Sequence, residues 1–119
     1  MDSDKSNVNT QVPPIDSSNV RLTTSLFNGQ NYLAWSGSVI MSLKGRGKMG
    51  YINGKIKAPQ PEDTLNDKWE MENSTVMTWL CHSMVPEIVE GFLDMAIAQD
   101  IWDTMVNTYS RKGNSAQIF

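Results

Sequence analysis

Three patterns in the sequence consist of residue types that carry chemistry in other proteins, and the first is a glycine-rich stretch. The stretch Gly45–Ile52 reads GRGKMGYI and matches the G-x-G-x-x-G spacing of nucleotide-binding loops. Those loops follow a β-strand and hold phosphate with backbone N–H groups at a helix N-terminus. Here the apolar spacing before the glycines is that of a helix, and no β-α-β pattern follows. We therefore interpret this stretch as a loop that ends a helix.

The second pattern is the adjacent pair Cys81 and His82, which are the single cysteine and the single histidine of the chain. Neighbouring residues on a helix point about 100° apart, so the two side chains cannot hold one ion together efficiently. A zinc site needs further ligands of the same kind, and a Cys-His nucleophile needs a third, orienting group. We expect no metal site, no cofactor and no catalytic pair at this position.

The third pattern is a set of carboxylates. Glu87 and Glu90, and likewise Asp100 and Asp103, are spaced i, i+3, so each pair could face one another for general acid-base catalysis. Acids scattered over the outer faces of amphipathic helices are normally solvated, and nothing else in the sequence supports catalysis. We expect a protein that is not an enzyme.

The charges are divided unevenly along the chain, whose net charge is −3. Residues 1–61 carry seven Lys or Arg against three Asp or Glu, whereas residues 62–119 carry three against ten. This asymmetry fits two solvated faces, or it could guide head-to-tail contact between copies. RNA binding is a weaker alternative, because overall acidity opposes phosphate binding. The candidate basic surface consists of Lys44, Arg46, Lys48, Lys55 and Lys57.

The spacing of apolar residues predicts the helices that must position these groups. Tyr32, Trp35, Val39 and Leu43 mark one face of a helix from about Asn31 to Gly45. Further helices are predicted at about 65–83, from residue 86 onward, and at about 98–109, the last one ending at the stretch RKGN. Short connections between these helices favour an all-α fold, a small bundle of four or more helices.

A turn signal interrupts this helical pattern. Asn53-Gly54 lies between Tyr51-Ile52 and Lys55-Ile56, which is typical of a type I′ turn and allows a tiny β-hairpin.

Tryptophan is abundant for a chain of this size. Trp35, Trp69, Trp79 and Trp102 lie on the predicted helices, which indicates a shared aromatic core. Trp79 lies off the main apolar stripe and is therefore the best candidate for an exposed residue that anchors a partner.

The length and composition predict one domain behind a tail. A chain of 119 residues has room for one modest core. Residues 1–21 contain few apolar side chains, so we expect a flexible tail there and a folded domain over residues 22–119 that is cut at its C-terminal end. We expect neither a signal peptide nor a membrane span. A single cysteine fits a reducing compartment, the cytoplasm or the nucleus.

Four blocks follow one another in a recognisable order: FNGQNYLAW, GYINGKIKAP, WEMENSTVMTWL and AQDIWDTMVNTYS. Together they resemble the N-terminal Gag region of plant copia-type LTR retrotransposons. Met105 stands where leucine is usual in that region, and Gln117 lies near a position that often carries arginine. The residues that carry the resemblance are Phe27, Gly29, Tyr32, Trp35, Gly54, Trp69, Val76, Trp79, Leu80, Ile101, Trp102 and Tyr109.

The resemblance implies a capsid-like, all-helical assembly module that acts by self-association of Gag and packages element RNA within a full Gag protein. Full family proteins continue into a zinc knuckle, a protease, an integrase and a reverse transcriptase, and none of these motifs occurs in this sequence. A second reading stays open: a Gag-derived host protein that serves as an adaptor for another protein or peptide.

Overall fold

The computed structural model describes the backbone of residues 21–118 and the side chains of residues 21–111. Within these residues the fold is entirely helical, with five α-helices, one short 3₁₀ helix and no strand, which confirms the predicted all-α class. The helices are α1 (Tyr32–Gly45), α2 (Gly50–Asn53), α3 (Asn66–His82), α4 (Pro86–Val89) and α5 (Ala98–Ile118), and the 3₁₀ helix is Glu90–Phe92. The predicted tail lies outside the described residues except for Arg21, so the division at residue 21 stays a prediction.

Helix α1 has the bounds that its apolar spacing predicts. Trp35, Val39 and Leu43 are buried on one face, at spacings of four residues that keep them on the same side of a helix. The chain turns into this helix at Asn31, whose side chain accepts a hydrogen bond from Asn28 N–H at 3.0 Å and donates one to the Leu26 carbonyl at 3.0 Å.

The predicted β-hairpin around Asn53-Gly54 is wrong, because this stretch forms helix α2. Tyr51 and Ile52 are consecutive and both buried, whereas consecutive residues of a strand point to opposite faces. Gly54 has φ +84°, the left-handed conformation in which a glycine ends a helix. An isolated two-stranded hairpin is marginal in water, so packing against the bundle favours the helix.

The later helices follow the predictions with one difference in length. Helix α3 lies within one residue of its predicted bounds, and α4 begins at Pro86, a residue that the first helical turn tolerates. Helix α5, however, continues through RKGN to Ile118, so the predicted end near Tyr109 is wrong. One glycine costs a helix about 1 kcal/mol relative to alanine, and that cost is not enough to end a long helix.

The core lies where α5 packs against α1, α2 and α3. Phe27, which precedes α1, is fully buried, and its ring lies 5.0 Å from that of Trp35 and 4.7 Å from that of Tyr109. Trp35 in turn lies 5.7 Å from Trp102. This cluster of aromatic rings therefore connects the chain before α1 to α5.

Backbone hydrogen bonds fix the same segment to the end of α3. Phe27 N–H donates to the Ser83 carbonyl at 2.8 Å, and Val85 N–H donates to the Phe27 carbonyl at 3.0 Å. The indole N–H of Trp35 donates to Ser83 Oγ at 3.1 Å. The start of α1 and the end of α3 therefore form one rigid corner of the bundle.

Candidate functional site

The twelve residues of the family-type blocks lie mainly in the core. Trp69 and Tyr109 are half-buried, and Gly29 and Gly54 hold left-handed backbone conformations. The remaining eight side chains are buried: Phe27, Tyr32, Trp35, Val76, Trp79, Leu80, Ile101 and Trp102. These residues maintain the fold, so any surface that acts on a partner must be built from other side chains.

The interpretation of Trp79 as an exposed anchor is wrong. Its side chain is 5% exposed, and the guanidinium carbon of Arg46 lies 4.6 Å from the centre of its ring. Such a cation-π contact is favourable by about 0.5–2 kcal/mol. Trp79 lies off the main apolar stripe of α3, but Arg46, which follows α1, covers its ring.

Glu72 on α3 forms an ion pair with Lys48, a member of the candidate basic surface. Its Oε1 accepts a hydrogen bond from the Tyr51 hydroxyl at 2.6 Å and lies 3.4 Å from Lys48 Nζ. The Tyr51 hydrogen bond, followed by the charge of Lys48, lowers the pKa of Glu72 against the opposing effect of burial. Burial and the neighbouring carboxylate raise the pKa of Tyr51 to about 12. Lys48 therefore forms an internal ion pair.

The candidate basic surface is thus divided into two parts. Arg46 lies over Trp79 and donates a hydrogen bond to the Arg21 carbonyl at 3.4 Å, and Lys48 is paired with Glu72. Lys44, Lys55 and Lys57 are exposed, so these three lysines are the members that a partner can reach.

A cavity of about 790 Å³ lies between the chain before α1, the end of α3 and α4. Its apolar lining comes from Leu22, Leu26, Met84, Val89 and Leu93, of which Leu93 is 70% exposed. Ligand pockets are usually concave and mostly apolar, with a few polar groups. We call this cavity the α3–α4 groove.

The Cys-His pair lies at the edge of this groove. Cys81 is half-buried, and burial raises the pKa of its thiol, which keeps the sulfur protonated and unreactive at neutral pH. His82 is exposed. Over the residues with described side chains, no three His, Cys, Asp or Glu residues are grouped so that they could hold a metal ion.

One acid and one cation, Glu90 and Arg21, belong to the lining of the same groove. Glu87 and Asp94 are exposed near Glu90 in the chain. Residues 83–110 contain five acids and neither lysine nor arginine. The segment that follows α3 and contributes one wall of the groove is therefore acidic, which favours a basic partner at that wall.

Asn73 is a positioning residue that the spacing of apolar residues does not reveal. Its side chain is 3% exposed, donates to the Ala96 carbonyl at 2.9 Å and accepts a hydrogen bond from Ala98 N–H at 2.8 Å. It thereby satisfies a backbone donor that helix α5 leaves unpaired at its start. The sequence signal is its place four residues after Trp69, in the block WEMENSTVMTWL.

Comparison with known families identifies the first part of the chain. Residues 14–60 match the family model described as the Gag-polypeptide of LTR copia-type. These residues are therefore similar to copia-type Gag. The match confirms the resemblance of the first two sequence blocks, and the two blocks after residue 60 lie outside it. No curated protein and no solved structure gives a significant match to the chain.

The matched segment includes α1, α2, the exposed lysines and the wall of the groove formed by Leu22 and Leu26. This family is a structural, non-catalytic Gag module, and the match supports a structural Gag role for the chain. In the described part of the chain, no helix is long and apolar enough to cross a membrane.

Proposed function

We propose that this chain is a non-enzymatic assembly module of a retrotransposon Gag protein, which acts by association with other Gag copies in capsid-like particles. The observation that carries the proposal is the match of residues 14–60 to the copia-type Gag family on an all-helical domain. The aromatic residues of that domain are used by its core, which leaves the exposed surface for contacts between proteins.

The distribution of exposed charge supports a protein partner. Lys44, Lys55 and Lys57 are exposed between the end of α1 and the start of α3, whereas the exposed acids Glu87 and Glu90 follow α3. Exposed segments of opposite sign on one chain favour contacts between copies, because complementary potentials steer association. RNA is the weaker partner here, because Lys48 is already paired with Glu72 and few phosphate contacts remain to give affinity. The proposal locates the protein in the cytoplasm or the nucleus.

The test is co-sedimentation of the labelled chain with particles formed by a full-length Gag that contains this sequence. We expect the chain to enter the particle fraction in a saturable manner. A serum albumin labelled in the same way controls for passive trapping. Equal recovery of the two proteins in the particle fraction would contradict the proposal.

The α3–α4 groove supports a second candidate function, that of a Gag-derived adaptor for another protein or peptide. Its volume of about 790 Å³ is sufficient for several side chains of a peptide. Binding of a host protein by a chain that stays monomeric, measured by pull-down and light scattering, would favour the adaptor over the assembly module.

A further inference from the structure

The loop after α2 presents an apolar side chain between two cations. Ile56 is 41% exposed, and its neighbours Lys55 and Lys57 are both exposed. We call these three residues the KIK knob. Burial of an exposed apolar group in a contact supplies affinity, and charges beside it steer and orient the partner.

The KIK knob is held in place by its own chain. Ile56 N–H donates to the Gly50 carbonyl at 3.0 Å. The Ile56 side chain packs so closely on Gly50 that a Cβ added there would lie 2.6 Å from its Cδ1 and Cγ1 atoms. A contact residue that is already fixed loses little conformational entropy when it binds.

The α3–α4 groove has the complementary properties. Val89, Leu93 and Leu26 give it apolar walls, and Glu90 adds a carboxylate to its lining. Arg21 also lines a second cavity, beside α1, whereas Leu93 also lines a third cavity, beside α3. The exposed acids Glu87 and Asp94 flank Glu90 in the chain.

The knob and the groove of one chain lie at different places in the fold. Helix α2 contacts Glu72 through Tyr51, and the groove is lined by α3 ten residues later, at His82. The knob is bonded to Gly50 in α2, and none of its three residues lines the groove. In this structure the knob therefore does not occupy the groove of its own chain, and a contact between the two joins different molecules.

From this arrangement we propose that the KIK knob of one copy docks in the α3–α4 groove of the next copy, with Ile56 against the apolar wall and the two lysines against Glu87, Glu90 and Asp94. This inference rests on the proposed assembly function and specifies its contact. Because the contact joins two different surfaces, it is head-to-tail and generates rings or filaments rather than closed twofold dimers.

A charge-swap experiment tests the contact on the full chain. In the knob variant, Lys55→Glu and Lys57→Glu replace the two positive charges with negative ones. In the groove variant, Glu87→Lys, Glu90→Lys and Asp94→Lys reverse the acids. We expect each variant alone to self-associate at least about tenfold more weakly than wild type in sedimentation equilibrium, because like charges then face each other. Mixing the two variants restores the association, because every contact between unlike chains again pairs opposite charges.

A matched control separates this effect from a change in net charge. Lys68→Glu with Arg111→Glu changes the net charge by as much as the knob variant does, at exposed residues outside the knob and groove. We expect the association constant of this control to equal that of wild type within about twofold, since neither residue belongs to the knob or the groove and exposed charges contribute little. Circular dichroism establishes that all variants remain folded.

Zero-length carbodiimide cross-linking identifies the contact directly, because it joins a lysine amine to a carboxylate that touches it. In a mixture of ¹⁴N and ¹⁵N chains, we expect links from Lys55 or Lys57 to Glu87, Glu90 or Asp94 that carry both isotopes. Links from those acids to Lys5 of the same chain would show that the groove is occupied from within the molecule and would overturn the inference.

The outcomes distinguish this contact from the proposed function. A wild-type chain that neither self-associates nor joins full-length Gag contradicts the assembly function itself. Self-association that is unchanged in both variants, or is not restored by mixing them, overturns only the knob-and-groove contact. Loss of single-stranded RNA binding by the knob variant, with self-association unchanged, would assign the lysines to RNA and overturn the contact as well.

Discussion

Replacement of Asn73 by alanine is expected to destabilise the domain far more than a surface change on the same helix. The side chain accepts a hydrogen bond from Ala98 N–H at 2.8 Å and donates one to the Ala96 carbonyl at 2.9 Å. Ala98 is fully buried, so Asn73→Ala leaves its N–H without a partner at a cost of about 1–3 kcal/mol. Ala96 is exposed, so water replaces that second bond at a smaller cost.

The two losses together amount to about 2–3 kcal/mol in the free energy of unfolding. For a domain of this size, each kcal/mol lowers Tm by about 4–8 °C, so we expect Asn73→Ala to lower Tm by about 10–20 °C in a calorimetric scan. Ser74→Ala is the matched control, because Ser74 is the exposed neighbour on α3 and its loss costs less than about 0.5 kcal/mol.

The variant Asn73→Asp adds a test with a distinct sign. An aspartate can still accept from Ala98 N–H, but its second oxygen then faces the Ala96 carbonyl with no proton between them. Burial and this repulsion raise the pKa of such a carboxyl above its value in the unfolded chain. The stability difference between the variant and wild type is therefore smallest in acid, and it grows as the pH rises to neutral and the carboxyl loses its proton. Equal Tm values for Asn73→Ala and Ser74→Ala, with no pH dependence in Asn73→Asp, would refute the assigned role.

Three further predictions concern backbone conformation, a hydrogen bond and a thiol. Gly54→Ala lowers the free energy of unfolding by about 1–2 kcal/mol in urea titrations, because Gly54 has φ +84°. Gly37→Ala within α1 raises it by about 0.5–1 kcal/mol, because no atom of another element lies within 4 Å of the added Cβ. Changes of the same sign in both variants would contradict the left-handed conformation assigned to Gly54. Tyr51→Phe removes the bond to Glu72 and abolishes a phenol titration seen by ultraviolet absorbance near pH 12. In wild type, the contribution of Tyr51 to stability is present below pH 10 and is lost as the pH rises towards 12. Cys81 reacts with a disulfide reagent more slowly than free cysteine at neutral pH, because burial raises the pKa of its thiol; an equal rate would refute the burial.

Helical periodicity was enough to predict most of the fold. The apolar faces of α1 and α3 repeat at helical spacing, and their ends follow from glycines and from Pro86, all of which are local properties of the chain. The sequence failed at Asn53-Gly54 because the same dipeptide suits a type I′ turn and a helix that ends in a left-handed glycine. Packing of Tyr51 and Ile52 against the bundle decides between the two, and no local pattern contains that information.

The candidate site was less predictable because it depends on contacts between distant residues. The sequence places five cations in one segment, but it does not show that Lys48 pairs with Glu72 or that Arg46 covers Trp79. The α3–α4 groove likewise requires that Phe27 and Ser83 meet, and they are joined by a backbone hydrogen bond of 2.8 Å across the fold.

Light scattering coupled to size exclusion, over a series of loading concentrations, tests whether this chain is an assembly module. We expect a weight-average mass that rises with concentration above the monomer mass of 13.3 kDa, and that rises less at high salt because the proposed contacts are partly electrostatic. A mass that stays at the monomer value up to high micromolar concentration, together with no binding to full-length Gag, would contradict the assembly function.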